Sequence, residues 1–203
     1  MSNRGRKRCY GRRKPRIQPR RILFIICEGR KTEYAYLKAI RSARRLRTVQ
    51  IDIDPGCRSG SDPKSLVTYA KRKKHSEDYD DVWCVFDHDG RLYIDEVLTN
   101  AERRPRVDVA FSNPCFELWY LLHYQYSAQA CNQVKMVRKL RQYIDDYTKS
   151  KDVFPILPDR LVAVQRAADL RRHHDVCGSA CTENPSTSVD NLVQLLYSLD
   201  DPR

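Results

Sequence analysis

No stretch of this 203-residue chain approaches the roughly twenty apolar residues of a membrane-spanning helix, and its leader has no apolar signal core. Neither a membrane protein nor an exported one is expected; the expected location is the cytoplasm. There is no internal repeat, no low-complexity segment beyond the leader, and no room for two independent enzymes. The leader is missing acids altogether: Met1 to Arg21 holds ten Lys or Arg and no Asp or Glu. The net charge of +12 therefore falls almost wholly in that segment, leaving 28 basic and 26 acidic residues elsewhere. A run of like charges cannot build a core, so residues 1–21 are expected to be a disordered arm that neutralises phosphates without reading sequence. Arg12, Arg13, Lys14, Arg16, Arg20 and Arg21 are its candidate nucleic-acid contacts; a solvated leader without a target is the plainer reading. Smaller basic clusters at Arg41 to Arg47, Lys71 to Lys74 and Arg103 to Arg106 either line a substrate groove or are exposed helix faces.

Familiar zinc-finger spacing is also lacking. In H-H-D-V-C-G-S-A-C, His173, His174, Cys177 and Cys181 have zinc-ligand chemistry, but Gly178 argues against a continuous helical face, so a zinc site is not expected. Cys27, Cys84 and Cys115 lie in apolar surroundings, where a reduced thiol acts as a small hydrophobe.

What is present is a pair of apolar runs that each stop at a carboxylate. Val82 to Gly90, V-W-C-V-F-D-H-D-G, reads as a strand ending in Asp87 and Asp89. Residues i and i+2 of an extended segment point to one side, so the two aspartates are placed to share a hard cation such as Mg²⁺ or Mn²⁺. His88 between them points to the other side. The same residues also suit a strand closed by an ordinary Asp-Gly turn. Ile22 to Cys27, I-L-F-I-I-C, is apolar throughout, as a strand buried on both faces should be, and ends in Glu28-Gly29.

Between and after these runs the pattern alternates. Thr32 is expected to cap a helix whose stripe is Tyr36, Leu37, Ile40 and Ala43. Val49 to Ile53 is a strand, Asp62-Pro63 opens a helix through about His75, Leu92 to about Arg104 is the next helix, and Val107 to Phe111 the fourth strand. The expected fold is α/β, a parallel sheet with right-handed crossovers. Phe116 to Tyr126 is aromatic-rich; at helical spacing Phe116, Trp119, Tyr120 and His123 form a face that packs on the sheet rather than a base-stacking platform. Beyond Tyr126, Asn132 caps a segment to about Tyr147, Asp159 opens a helix to about His173, and T-S-V-D at Thr187 to Asp190 precedes a last helix with Leu192, Leu195, Leu196 and Leu199 as its stripe. The expected organisation is leader 1–21, core 22–126, and a helical extension 127–203 packed on it.

The ordered set I-I-C-E-G-R-K-T-E-Y-A-Y-L, G-S-D-P-K-S-L-V, W-C-V-F-D-H-D, S-N-P-C-F-E-L-W-Y-L-L-H-Y and N-P-S-T-S-V-D resembles the RloB-like family of the Toprim superfamily. The resemblance implies a small Rossmann-like sheet with Glu28 in proton transfer or at the metal, and Asp87 and Asp89 holding Mg²⁺. It implies a metal-dependent nuclease in phage defence, acting on DNA or RNA, with an ATPase as possible partner; self-association is left open. The Asn184 to Thr187 segment is expected to pack toward the catalytic loops. Glu117 either completes a second metal site or is an exposed first-turn helix residue, and Ser112 and Asn113 either support the loop or begin a turn. Other readings are a nucleic-acid-binding or regulatory subunit without cleavage, and nucleotidyl transfer. A topoisomerase is disfavoured because strand-passage domains have no room.

Overall fold

Five apolar residues, Leu23–Cys27, form β1 and all are buried. The computed structural model, which describes residues 21–53, 62–176 and 183–199, places this strand inside the sheet. Parallel neighbours flank it: β2, Val49–Ile53, on one side and β3, Asp81–Asp87, on the other. Next comes β4, Asp108–Asn113, parallel to β3, and then β5, Ser186–Thr187, antiparallel to β4. The order is β2-β1-β3-β4-β5, so the described chain is an α/β protein with a mostly parallel, Rossmann-like sheet.

Strand alternation divides the core in two. Leu23, Ile25, Cys27 and Val85 face one layer, and Phe24, Ile26, Val82, Cys84 and Phe86 the other. The second layer is covered by α2, Pro63–Ser76, and α3, Ile94–Glu102. The first is covered by α1, Thr32–Ala43, and α4, Glu117–Tyr124, together with α5, Gln133–Leu140, α6, Arg160–Val176, and α7, Val189–Ser198. Each fully buried Leu, Ile or Phe contributes about 1.5–3 kcal/mol, so both layers are needed to hold a sheet this apolar. The face expected of Phe116, Trp119, Tyr120 and His123 is buried as read.

Several local expectations need correction. Thr32 does not cap α1: it is the first helical residue, buried, and its hydroxyl is engaged with the Lys149 carbonyl at 3.5 Å. The buried stripe of α1 begins at Thr32 and Glu33 and ends at Ile40, leaving Ala43 exposed. Helix α3 starts at Ile94 rather than Leu92, because positive φ at Asp89 (48°) and Gly90 (72°) turns the chain before a helix can begin. Helix α5 stops at Leu140, where Arg141 donates to the Tyr147 carbonyl and the chain continues as turns. Asp62 does cap α2, accepting from the Ser65 N–H at 3.3 Å. Helix α6 runs through His173 and His174 to Val176, but His174 Nε2 is bonded to the Pro185 carbonyl at 2.7 Å. Cys177 and Cys181 lie outside the described residues.

The residues beyond 126 share a core with β1 and add a strand. Ser186 and Thr187 pair with Asn113 and Ser112, and the Ser188 hydroxyl bridges the Phe111 N–H and the Val109 carbonyl. Asp190 is not a capping residue. It is buried, and Arg171 grips it in a two-pronged pair at 2.6 and 2.8 Å while also donating to the Thr187 carbonyl. This clamp ties α6 and α7 to β5. Asp190→Ala leaves a half-buried guanidinium without its counter-charge and is expected to cost about 3–5 kcal/mol. Urea denaturation checks this, and a loss below 1 kcal/mol refutes the clamp.

Candidate active site at the carboxyl edge of the sheet

In an open parallel sheet the crevice for ligands lies where the strand order reverses, outside the carboxyl ends of the strands. Here that point falls between β1 and β3, because the chain leaves β1 toward β2 and returns on the other side to β3. Glu28 follows β1, and its N–H donates to the Val85 carbonyl at 2.9 Å, which extends the ladder to the edge. Asp87 ends β3. The two residues expected from the sequence therefore stand on either side of the crevice.

Their partners are specific. Glu28 Oε1 accepts from Arg91 Nη2 at 2.7 Å, and Oε2 lies 3.4 Å from the Asp87 N–H. Arg91 also donates to the Asp87 carbonyl at 3.2 Å and reaches 3.7 Å from Asp89 Oδ2. Burial raises the Glu28 carboxyl above its ordinary pKa, opposed by the Arg91 guanidinium. Asp87 is buried with Oδ1 unpartnered among the described residues. Burial, then Glu33, Glu117 and Asp89, push its pKa well above the usual range.

Asp89 departs from the expected pair. Strand geometry stops at Asp87, and Asp89 and Gly90 form a left-handed turn closed by the Arg91 N–H on the His88 carbonyl at 2.9 Å. Alternation along an extended strand therefore does not set Asp89 beside Asp87. Asp89 is 44% exposed and faces the cavity described below. His88 has its ring against Phe111 at 6.1 Å, and it lines the same cavity as Asp89 rather than pointing away from it.

Two further carboxylates approach Asp87 from the helical layer. Glu117, in the first turn of α4, is 1% exposed, so its reading as an exposed helix residue is corrected; Oε1 accepts from the Tyr147 hydroxyl at 3.0 Å. Glu33, in the first turn of α1, was not anticipated. Burial raises its pKa to about 6, its own backbone N–H opposes the shift, and Glu117 adds to it. A Cβ on Gly29 would sit 2.8 Å from Glu33 Oε2, so a larger residue there would make that carboxylate shift. Lys149 completes the group: burial works against its charge, but Glu117, Asp87 and Glu33 hold its pKa above the ordinary value. The sequence signal for Glu33 was its place, one turn after an acidic strand end, in G-R-K-T-E.

A cavity of about 660 Å³ opens beside this edge, lined in part by Asp89, Arg91, Asn113, Pro114, Asn132 and Asn184. Asn184 is fixed by paired bonds to the Cys131 N–H and carbonyl at 3.1 and 2.8 Å, so the Asn184 to Thr187 segment does pack against the edge. Ser112 shares a 3.0 Å hydroxyl contact with Thr187 and supports β5. Asn113 lies on the cavity wall.

Of the predicted leader contacts only Arg21 is among the described residues. Arg21 pairs with Asp81 at 2.7 Å, at the opposite end of β3 from Asp87, and the other leader residues, Arg12, Arg13, Lys14, Arg16 and Arg20, lie outside the described residues. Lys71 caps the end of α3 through the Arg103 carbonyl at 2.8 Å, Lys73 pairs with Glu77 at 2.6 Å, and Arg106 with Asp108 at 3.2 Å.

A Rossmann-like sheet with buried carboxylates at its switch point defines a class of α/β proteins built to meet a ligand at the strand ends. Within that class the chain belongs to the RloB-like protein family, whose family model matches residues 23–196. No curated protein and no solved structure matches it. Among the described residues, no helix is long and apolar enough to cross a membrane.

Proposed function

We propose that this chain is a divalent-metal-dependent phosphodiesterase of the Toprim type, an endonuclease acting on nucleic acid in anti-phage defence, with an ATPase as a candidate partner. The observation that carries the reading is the burial of Asp87, with an unpartnered oxygen, against Glu33 and Glu117 at the switch point. Three buried carboxylates and one lysine leave an excess of negative charge that a hard cation would balance. The donors fit Mg²⁺ or Mn²⁺ chemically: all are carboxylate oxygens. Among the described residues no three His, Cys, Asp or Glu side chains already form a metal-ligating group, so metal binding must draw them together.

When bound, the cation supplies charge stabilisation at a phosphoryl oxygen and a water of lowered pKa. Asp87 would hold it, with Glu33, Glu117 and Asp89 as the other ligands available. Glu28, held by Arg91 and raised in pKa by burial, is positioned to accept a proton from the attacking water. Arg91 is shared between Glu28 and the cavity, so a phosphate entering the cavity competes for it and frees Glu28. The second reading is a nucleic-acid-binding subunit without cleavage, in which the carboxylates, not gathered into a ligand group among the described residues, serve the fold.

The test is cleavage of plasmid, single-stranded DNA, ribosomal RNA and transfer RNA with Mg²⁺ or Mn²⁺, comparing the wild-type chain with Asp87→Asn and Glu28→Gln. The expected result is cleavage of one substrate class by the wild-type chain and by neither variant. Equal cleavage by all three, or none with retained binding, rejects the enzyme reading in favour of contamination or of the binding subunit.

A further inference from the structure

At the far end of α1 from Glu33 lies an exposed groove of about 390 Å³ whose lining is Lys38, Arg41, Ser42, Arg45, Leu46 and Arg47. Four of these six are cationic and exposed. Among the described residues none of the four cations is paired with a carboxylate; only Lys38 has a close partner, the Tyr34 ring at 5.1 Å. In the other two basic clusters Lys71, Lys73 and Arg106 are engaged in capping or ion pairs.

Helix capping is the plainest explanation of basic residues at a helix end, and the backbone already performs it here. Arg45 N–H donates to the Ser42 carbonyl at 3.1 Å and Leu46 N–H to the Arg41 carbonyl at 3.0 Å, the two bonds of a Schellman motif. In that motif the residue with left-handed backbone is usually glycine, because a Cβ there is strained. This chain has Arg45 at φ 53° in that position. Within the described residues its guanidinium makes no hydrogen bond, ion pair or ring contact that would offset the strain. Strain kept at an exposed cationic residue points to a use outside the fold.

We infer that the α1–β2 corner, through Lys38, Arg41, Arg45 and Arg47, is a binding surface for the phosphodiester backbone of a nucleic acid. The choice of a nucleic acid over another polyanion rests on the phosphodiesterase reading. The arrangement suits a backbone: Lys38 and Arg41 are one helical turn apart, and the row continues through Arg45. Arg41 is eight residues along α1 from Glu33, about 12 Å at the helical rise, or three to four base pairs of duplex. One helix therefore connects the phosphate grip to the carboxylate cluster.

The informative variant is Arg45→Gly, because it relieves the strain and removes the charge together. Binding of fluorescein-labelled RNA hairpin and DNA duplex is measured by anisotropy in EDTA over a salt series, using the full chain, alongside thermal unfolding. Arg45→Gly and Arg41→Gln are each expected to weaken binding by about threefold to tenfold and to lower the salt slope by about one. Arg45→Gly is expected to unfold at the same or a higher temperature. Because binding is read without metal, loss of cleavage elsewhere leaves this result intact. Unchanged affinity and slope in both variants overturn the proposal, as does equal weakening for polyglutamate, which assigns the corner to an acidic protein partner. A lower unfolding temperature in Arg45→Gly overturns the argument from strain.

Discussion

Asp87→Asn is expected to remove metal-dependent cleavage by at least about 100-fold and, at the same time, to make the metal-free protein more stable. The two effects have one cause. Folding places the Asp87 carboxyl in a dry environment beside Glu33 and Glu117, with one oxygen lacking a partner among the described residues. In the unfolded chain that carboxyl is ionised near neutral pH, so folding must either bury the charge or bind a proton, and both cost free energy. An amide of the same shape carries no charge and is released from the cost. The expected gain is about 1–3 kcal/mol at pH 7, which for a chain of this size corresponds to a rise of several degrees in Tm. Stability gained by deleting a group together with loss of activity is the mark of a residue retained for chemistry. A destabilised Asp87→Asn assigns Asp87 to the fold and removes the chief support for the metal site.

How far this site was readable from the sequence follows from the range of the interactions that build it. Leu23 to Cys27 and Val82 to Phe86 carry their strand assignment in their own composition, since a run of apolar residues bounded by acids and glycine has few other uses. Their order in a parallel sheet followed from the alternation with helices. The two-residue strand Ser186–Thr187 has no such local signature; it exists because Ser112 and Thr187 share a hydroxyl contact and Arg171 clamps Asp190 beside it. Glu33 was missed for a related reason. One turn into an amphipathic helix a glutamate normally faces water, and only the approach of α4 and of Lys149 turns that position into the interior of a carboxylate cluster. The D-x-D spacing was legible but its geometry was not: period-two reasoning holds only while the backbone is extended, and Asp89 at φ 48° is already in the turn.

Between about pH 4 and 6.5 the buried carboxylates are expected to make the metal-free protein lose stability as pH rises, and divalent cations are expected to restore more of it the higher the pH. Glu33 has a folded pKa of about 6 and that of Asp87 is raised well above its ordinary value, whereas both titrate near 4 when unfolded. The native state therefore binds more protons than the unfolded state over that interval, and the unfolding free energy falls with rising pH. The contribution is complete below about pH 4 and is lost as pH passes the folded pKa values; for Glu33 alone it is about 2 kcal/mol. His123 acts with the opposite sign. Burial lowers its pKa to about 4, against the bond of Nδ1 to the Pro158 carbonyl, so its contribution is present above about pH 6.5 and disappears as pH falls through 4. The two effects oppose each other between about pH 4 and 6.5, so the difference between the wild type and Asp87→Asn, which share His123, isolates the carboxylates. A cation that binds only the ionised cluster competes with protons, so the Mn²⁺-induced rise in Tm should grow across that interval. Differential scanning fluorimetry with and without Mn²⁺ provides the measurement, with Asp87→Asn flattening both dependences. If the wild type and Asp87→Asn share one pH dependence of Tm, or if Mn²⁺ protects Asp87→Asn as well as the wild type, the buried carboxylates are not where the cation binds.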